Sequence, residues 1–260
     1  VMANGESGAG IGNSQNGSGC TFTTTKDGVT GNALIIASSI SDTNNKASWS
    51  GLIFGGDGEE SNKIVGKIYG MSSFTMPEGV IAIPDYPYYH LKVENSQTLT
   101  IGQNSTLIIG NNGAITNSGT ITNNGVIGVS GVSGTFTNNG TYSGNSGTIY
   151  KLGTNASVTD GLSTQDGFLI TFNVNGSVVV GNMPSPLLVA SNANAIQPEE
   201  IPTRVGYTFD KWTLSTGSGS FANSTSSSTT FFPKSNCTVT ANFKKKDDGY
   251  YIVSYSVGTI

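Results

Sequence analysis

The sequence of 260 residues has few ionisable side chains. Only 11% of its residues are Asp, Glu, Lys or Arg, there is one histidine, and the formal net charge is −4. From Asn95 to Tyr150 no Asp, Glu, Lys, Arg or His occurs. Nucleic acids and anionic membranes are bound by clustered Lys and Arg, so the composition favours neither as a partner. The charge-free stretch also lacks the side chains that most often serve general acid–base catalysis.

Cysteine and long apolar runs are also scarce. The two cysteines, Cys20 and Cys237, form no CxxC or Cys/His spacing, so no metal site or cofactor is predicted from them. No apolar run approaches eighteen residues, which predicts no membrane insertion in this segment. The chain begins with Val1 and has no recognisable signal peptide. We interpret it as a segment of a longer protein.

The middle of the chain contains a short repeat of β-branched and apolar residues separated by Asn, Gly and Ser. Apolar residues recur there at intervals of 8, 8, 6, 6, 9, 6 and 7 residues. They are Leu99, Leu107, Ile115, Ile121, Ile127, Phe136, Tyr142 and Ile149. Three such steps make about twenty residues, a suitable length for one three-sided coil of a parallel β-solenoid. Stacked coils, about 4.8 Å apart, would pair the short strands and align their apolar side chains.

The pattern divides the chain into four regions. Residues 1–153 are predicted to form the solenoid, with irregular coils and loops in the N-terminal half. Residues 154–167 are a predicted linker, because the repeat stops there and polar residues take over. Longer alternating strands over 168–246 predict a small antiparallel β domain with a long loop at Ser215–Ser228. Residues 247–260 are predicted to form a terminal strand or to begin another module. The predicted fold class is therefore all-β.

The N-terminal half and the repeat resemble a known family. Ile64–Gly70, Phe74–Gly79 and the repeats of Thr98–Gly125 resemble the "V-x-G…T-I-P-x-G-x-T-L-T-I…T-N-N-G-T-I" segments of gut-bacterial surface proteins. Ile83–His90 interrupts that family's pattern. The resemblance implies a right-handed parallel β-helix.

The C-terminal region resembles a second family. Gly206–Trp212 matches the G-Y-x-F-x-x-W core of internalin-type B repeats, and Cys237–Phe243 is similar to the closing V-T-A-N-F of their divergent relatives. The resemblance covers about residues 168–244. It implies a β-grasp-like domain with three aromatic residues near its core, namely Tyr207, Phe209 and Trp212.

An aromatic cluster is the first candidate ligand-binding site. Its members are Trp49, Tyr86, Tyr88, Tyr89 and His90. Aromatic side chains grouped in this way can form a platform for a sugar ring. Packing between coils is the alternative, and the tightness of the cluster favours it.

Acidic residues and paired asparagines are the remaining candidates. Asp57, Glu59 and Glu60 flank a glycine and could hold Ca²⁺, although their spacing fits neither an EF-hand nor the GGxGxDxU repeat. A solvated turn is the favoured interpretation. The pairs Asn111-Asn112, Asn123-Asn124 and Asn138-Asn139 could bind glycans, but hydrogen-bonded ladders along the solenoid corners are favoured.

These observations predict a non-enzymatic extracellular segment of a bacterial cell-surface protein. It would act as a stalk or adhesion module, with a glycan or a host or bacterial surface protein as its partner. A carbohydrate-binding module using the aromatic cluster is the alternative. The third hypothesis is a β-helix polysaccharide lyase or hydrolase, for which the repeat offers no converging carboxylates. No catalytic residue and no cofactor is predicted.

Overall fold

The computed structural model describes residues 2–3, 25–26, 29–30, 34–37, 51–55, 63–83, 88–176, 181–193, 196–198 and 200–246. Within these ranges the regular secondary structure is β throughout, without a helix. Correspondingly, no membrane-spanning helix is found in the part of the chain that is described. The chain divides into two compact units. The first contains residues 1–169 and 187–192, and the second contains residues 170–186 and 193–260.

The first unit is a parallel β-solenoid of four three-stranded coils. Five N-terminal strands precede the coils: β1 (Met2–Ala3), β2 (Thr25–Lys26), β3 (Val29–Thr30), β4 (Leu34–Ala37) and β5 (Gly51–Gly55). The first coil contains β6 (Lys63–Tyr69), β7 (Ser73–Thr75) and β8 (Gly79–Ile83), and the second contains β9 (Tyr88–Val93), β10 (Thr98–Ile101) and β11 (Ser105–Ile109). The third coil contains β12 (Ala114–Asn117), β13 (Thr120–Asn123) and β14 (Val126–Ser130), and the fourth contains β15 (Thr135–Asn138), β16 (Thr141–Ser143) and β17 (Thr148–Leu152). Successive strands of each coil belong to the first, second and third sheets in turn. This confirms the solenoid predicted from the repeat.

The register confirms the repeat residue by residue. Leu99 pairs with Phe74 on one side and with Ile121 on the other, and Ile121 pairs in turn with Tyr142. The equivalent columns in the third and first sheets contain the other repeat residues: Leu107, Ile127 and Ile149 in the third, and Ile115 and Phe136 in the first. Because each column stacks apolar side chains from consecutive coils, the short strands share one continuous core.

An antiparallel strand borders the first coil. β5 pairs antiparallel with β6, whereas the neighbouring pairs β4–β5 and β6–β9 are parallel. Leu52 of β5 is fully buried and belongs to the solenoid core. β5 therefore extends the first sheet beyond β6, and its Leu52 packs with apolar side chains of the solenoid core. The edge of β6 is thus paired and not exposed.

The end of the solenoid is formed by three further segments. They are β18 (Ser157–Val158), the start of β19 (Gln165–Val174) and β20 (Leu187–Ala190). β18 pairs with β15, and Gln165 and Asp166 of β19 pair with β17. Leu188 of β20 packs against Gly128, where an added Cβ would lie 2.8 Å from the leucine Cδ1. Residues 157–158 and 165–169 of the first unit are thus β-strand within the region predicted as linker or just beyond it.

The second unit contains a mixed sheet and a small hairpin. Its strands are the end of β19, β21 (Tyr207–Thr216), β22 (Gly219–Phe221), β23 (Phe231–Pro233) and β24 (Cys237–Lys245). β24 is parallel to β19 and antiparallel to β21, and β22 pairs with β23. Trp212 is buried there, with its ring centroid 6.0 Å from Phe172 and 5.3 Å from Phe209.

The antiparallel strands predicted for this unit are present in the β21–β24 and β22–β23 pairs. The sheet also contains one parallel pair, because the long connection between β19 and β24 allows them to run in the same direction. One expectation for this unit was wrong. Ser215–Ser228 is not a continuous loop, because Gly219–Phe221 forms β22. The Gly and Ser content conceals this strand, whose Phe221 stacks on Phe231 at a centroid distance of 4.8 Å.

Candidate functional site

The structure places two members of the predicted aromatic cluster on β9. Tyr89 is only 6% exposed and belongs to the solenoid core, and burial raises the pKa of its hydroxyl. His90 is half-buried, with its Nε2 2.8 Å from Oγ1 of Thr116 in the next coil. Trp49, Tyr86 and the side chain of Tyr88 lie outside the described residues. A sugar platform at this position therefore stays a prediction, and Tyr89 contributes to packing between coils.

The predicted calcium ligands also lie outside the described residues: Asp57, Glu59 and Glu60 are all in the range 56–62. Among the residues that are described, no group of three or more His, Cys, Asp or Glu side chains is close enough to hold a metal ion. The calcium site stays a prediction.

A polar groove lies on one corner of the solenoid. We define the second corner as the turns that connect the second sheet to the third in each coil. A groove of about 570 Å³ follows this corner across all four coils. Six of its lining residues are Glu78, Gly102, Gln103, Asn124, Asn145 and Ser146. We call these residues the corner groove.

Unequal turn lengths create the corner groove. Thr100, Thr122 and Ser143 occupy one column, and Thr106, Val126 and Thr148 occupy another. The turn between these columns contains residues 101–105 in the second coil, only 123–125 in the third and 144–147 in the fourth. Because the third coil has the shortest turn, it is recessed between the longer turns on either side. Asn124 therefore lies at the floor, and Gln103 and Asn145 lie on opposite walls.

Close backbone contact between coils fixes the recessed turn. A Cβ on Gly125 would lie 2.1 Å from the carbonyl oxygen of Gly102 and 2.3 Å from that of Ser105, so only glycine fits. The buried Ser105 hydroxyl donates a hydrogen bond to the carbonyl oxygen of Pro77 at 3.0 Å. The Asn124 side-chain oxygen accepts a hydrogen bond from the Asn145 backbone N–H at 3.3 Å. These contacts between coils keep the walls in place.

The groove offers hydrogen-bonding groups and one negative charge. The side-chain amides of Gln103 and Asn145 are exposed, and neither has a hydrogen-bond partner among the residues that the structure describes. Glu78 accepts a hydrogen bond from the Asn104 amide at 3.1 Å through one carboxylate oxygen. No aromatic or cationic side chain is among the described residues that line the groove. The lining thus suits a ligand rich in hydroxyl groups more than an apolar or anionic one.

Asparagines on the other corners form the predicted ladders. The Asn117 amide donates hydrogen bonds to Oδ1 of Asn138 at 2.7 Å and to the carbonyl oxygen of Thr141 at 2.8 Å. Asn111 accepts a hydrogen bond from Ser130 at 2.6 Å. Of the predicted asparagines, Asn138 and Asn111 therefore form hydrogen bonds that join one coil to the next, and Asn117, which was not among them, does the same. Oδ1 of the fully buried Asn117 has no partner within the described part of the chain.

Sequence reasoning did not identify the corner groove as a site. Asn124 belongs to a recognised pair, but Glu78, Gln103 and Asn145 lie in turns that look like other polar turns of the repeat. The available signal was the repeat spacing. The step from Ile121 to Ile127 is six residues, whereas the equivalent steps in the neighbouring coils are eight and seven. The shorter step marks the recessed turn.

The second unit offers little chemistry in its described residues. Cys237 is buried, and desolvation raises the pKa of its thiol to about 11. A thiol of this kind is a poor nucleophile at neutral pH. Asp210 forms an ion pair with Lys244 at 2.6 Å, and the Arg204 guanidinium stacks on the Tyr207 ring at 3.4 Å. These contacts stabilise the β21–β24 pair and its adjoining turn.

Comparison with known proteins gives one family match. Residues 168–242 match the Listeria-Bacteroides repeat domain. The matched range lies within the segment whose motifs resemble internalin-type repeats. No curated protein and no solved structure matches the chain. The repeat domain and the β-solenoid together fit a surface-associated protein built from repeats.

Proposed function

We propose that this chain is a non-enzymatic extracellular segment of a bacterial cell-surface protein, acting as a stalk and adhesion module. In this proposal the solenoid is the spacer, and residues 168–242 form an internalin-type repeat that extends it or contributes contact surface. The partner would be a glycan or a surface protein of the host or of another bacterium.

The observation that supports this proposal most is the composition of the stacked coils. The stretch from Asn95 to Tyr150 contains no ionisable carboxylate, amine or imidazole, yet it supplies most of the second to fourth coils. The chemical feature that recurs from coil to coil is the stacking of inward-pointing apolar side chains, which stabilises the fold. A solenoid grows by one layer with every coil, so such a sequence is suited to spacing.

The hydrolase or lyase alternative needs a different arrangement. Glycoside hydrolysis requires two carboxyl groups on either side of the scissile bond. In the corner groove Glu78 is the one carboxylate among the lining residues that the structure describes. The described lining of the corner groove therefore does not supply the pair of carboxyl groups.

The test uses bacteria that display the full-length parent protein. Three strains would be compared: one with the native protein, one lacking residues 63–246, and one in which an unrelated solenoid of equal coil number replaces residues 63–169. We expect the deletion to lower attachment to immobilised host-matrix proteins and cultured epithelial cells. Labelling with a membrane-impermeant biotin reagent before lysis should detect this segment on the native strain.

The replacement strain separates the two parts of the proposal. Attachment that recovers with the unrelated solenoid indicates a spacer, and attachment that does not recover indicates specific contact by the native coils. The proposal is contradicted by absence of labelling on intact cells, or by release of unsaturated uronides or reducing sugars from polysaccharides by the purified chain. Attachment unchanged by the deletion would also count against it.

A further inference from the structure

We propose that the corner groove binds a neutral oligosaccharide through hydrogen bonds to Gln103, Asn124 and Asn145. This site differs from the aromatic cluster predicted from the sequence, and it is independent of the stalk function. A stalk without this site, or this site on a protein that is not a stalk, would each be consistent with the structure.

The geometry of the groove supports a chain-like ligand. The groove is lined by turns of all four coils, with the recessed third turn between the longer second and fourth turns. Adjacent coils are spaced about 4.8 Å apart. Gln103, Asn124 and Asn145 therefore present one amide side chain from each of three consecutive coils to the same groove. A repeating ligand can use such a row at more than one point.

The chemistry of the lining selects hydroxyl groups. Each amide offers both a donor and an acceptor, as a sugar hydroxyl does. Ser146 adds a hydroxyl that donates to the carbonyl oxygen of Asn124 at 3.3 Å and retains acceptor capacity. Among the described lining residues, Met76 is the one with a large apolar side chain, and it is only 3% exposed. An extended peptide would find no pocket there for an apolar anchor, so the groove favours a carbohydrate.

The charge of the lining selects against acidic sugars. Glu78 keeps one carboxylate oxygen beyond its hydrogen bond with Asn104, and this oxygen can accept a hydrogen bond from a sugar hydroxyl. No Lys or Arg lies among the described lining residues to compensate a uronic acid, a sulfate or a phosphate. Like charges repel in a partly desolvated groove, so the preferred ligand is uncharged.

The test is a titration of the full-length chain, labelled with ¹⁵N, with cellohexaose, xylohexaose, mannohexaose and hexagalacturonate. We expect at least one neutral oligosaccharide to shift the side-chain NH₂ signals of Gln103 and Asn145, with no shift from hexagalacturonate. Gln103→Ala and Asn145→Ala should each weaken binding about fivefold, as the loss of one neutral hydrogen bond predicts. Asn139→Ala is the matched control, since Asn139 is an exposed corner asparagine outside the groove.

Two further variants sharpen the test. Gly102→Leu should abolish binding by filling the groove. Its Cβ would meet only Ser105 Oγ at 3.5 Å, an ordinary contact, and folding is checked by the thermal melting curve. Glu78→Gln retains an acceptor for Asn104 and removes the charge, so it should allow hexagalacturonate to bind.

The proposal is overturned by any of three results. The first is no shift with every neutral probe at about 10 mM, a concentration that detects even millimolar affinity. The second is binding that is unchanged in both Gln103→Ala and Asn145→Ala. The third is equal binding of hexagalacturonate by the native chain.

Discussion

Single residues at the corners determine how closely the coils stack. At Gly125 a Cβ would overlap the carbonyl oxygens of Gly102 and Ser105 in the preceding coil. Gly119 has the same constraint at the opposite end of β13, where a Cβ would lie 2.2 Å from the Glu94 carbonyl oxygen. These glycines are required by close approach of two backbones, because Gly125 and Gly119 have no positive φ. Their absence of a side chain is what allows the strands to pair.

A comparison of two glycines at the second corner tests this requirement. We expect Gly125→Ala to lower the free energy of unfolding by about 3 kcal/mol, since overpacking against backbone cannot be relieved by a side-chain rotation. Gly102→Ala should change it by less than about 1 kcal/mol, because its Cβ makes only an ordinary contact. Urea unfolding followed by circular dichroism measures both values. Similar stability of the two variants would show that the coils can separate at little cost.

At the scale of the strand, each element is too short to be stable without its neighbours. β16 is only three residues long, and Tyr142 is its single large side chain. The tyrosine ring meets Phe136 edge-on at 5.9 Å, and its hydroxyl accepts a hydrogen bond from the Asn123 amide at 2.9 Å. β16 is thus held by one ring and one hydroxyl together with its backbone pairing to β13.

Alkaline pH should weaken this strand. Burial raises the pKa of Tyr142, an effect partly offset by the hydrogen bond from Asn123, and burial also raises the pKa of Tyr89. A raised pKa means that the neutral phenol is favoured in the folded state, so its stabilisation is complete below about pH 10, the ordinary tyrosine value, and is lost as pH rises through the folded-state value. We expect the free energy of unfolding to fall as the pH rises above about 10.

Phenylalanine variants identify which tyrosines cause this fall. Tyr142→Phe should cost about 1 kcal/mol at neutral pH, for the lost hydrogen bond, but it should lose less stability than the native chain at alkaline pH. Tyr89→Phe combined with Tyr142→Phe should flatten the dependence further. Parallel pH profiles for the native chain and the double variant would contradict the assignment.

At the scale of the whole molecule, each compact unit has its own core. The first is a stack of apolar columns from consecutive coils. In the second, apolar side chains are buried on β19, β21, β23 and β24; they include Ile170, Trp212, Phe231 and Val239. Cys237 at the start of β24 is 4% exposed and is therefore a reporter of opening in the second unit.

Alkylation of Cys237 should depend on unfolding. With the thiol pKa raised to about 11, only about one thiol in a thousand is ionised at pH 8, and burial also limits access. We expect iodoacetamide to modify Cys237 slowly in the native protein and rapidly in urea, as measured by mass spectrometry of the peptide that contains it. Rapid modification without urea would show that β24 opens readily.

The sequence by itself determined the class of fold and the identity of the solenoid core. All eight repeat residues occupy stacked columns, because a short strand with one inward apolar residue leaves few other ways to bury it. The matched repeat domain was also visible in local motifs around Trp212. These features depend on neighbours in the chain and on the period of the repeat.

Only the tertiary structure decided where a ligand could bind and which turns belong together. Gln103, Asn124 and Asn145 lie some twenty residues apart and come together because register stacks their coils. The recess exists because the third turn is shorter than its neighbours, a difference that matters only once the coils are superposed. Likewise, the parallel pairing of β19 with β24 and the strand hidden at Gly219–Phe221 depend on distant partners. A polar turn has the same kind of sequence whether it lies on an open surface or forms the wall of a groove.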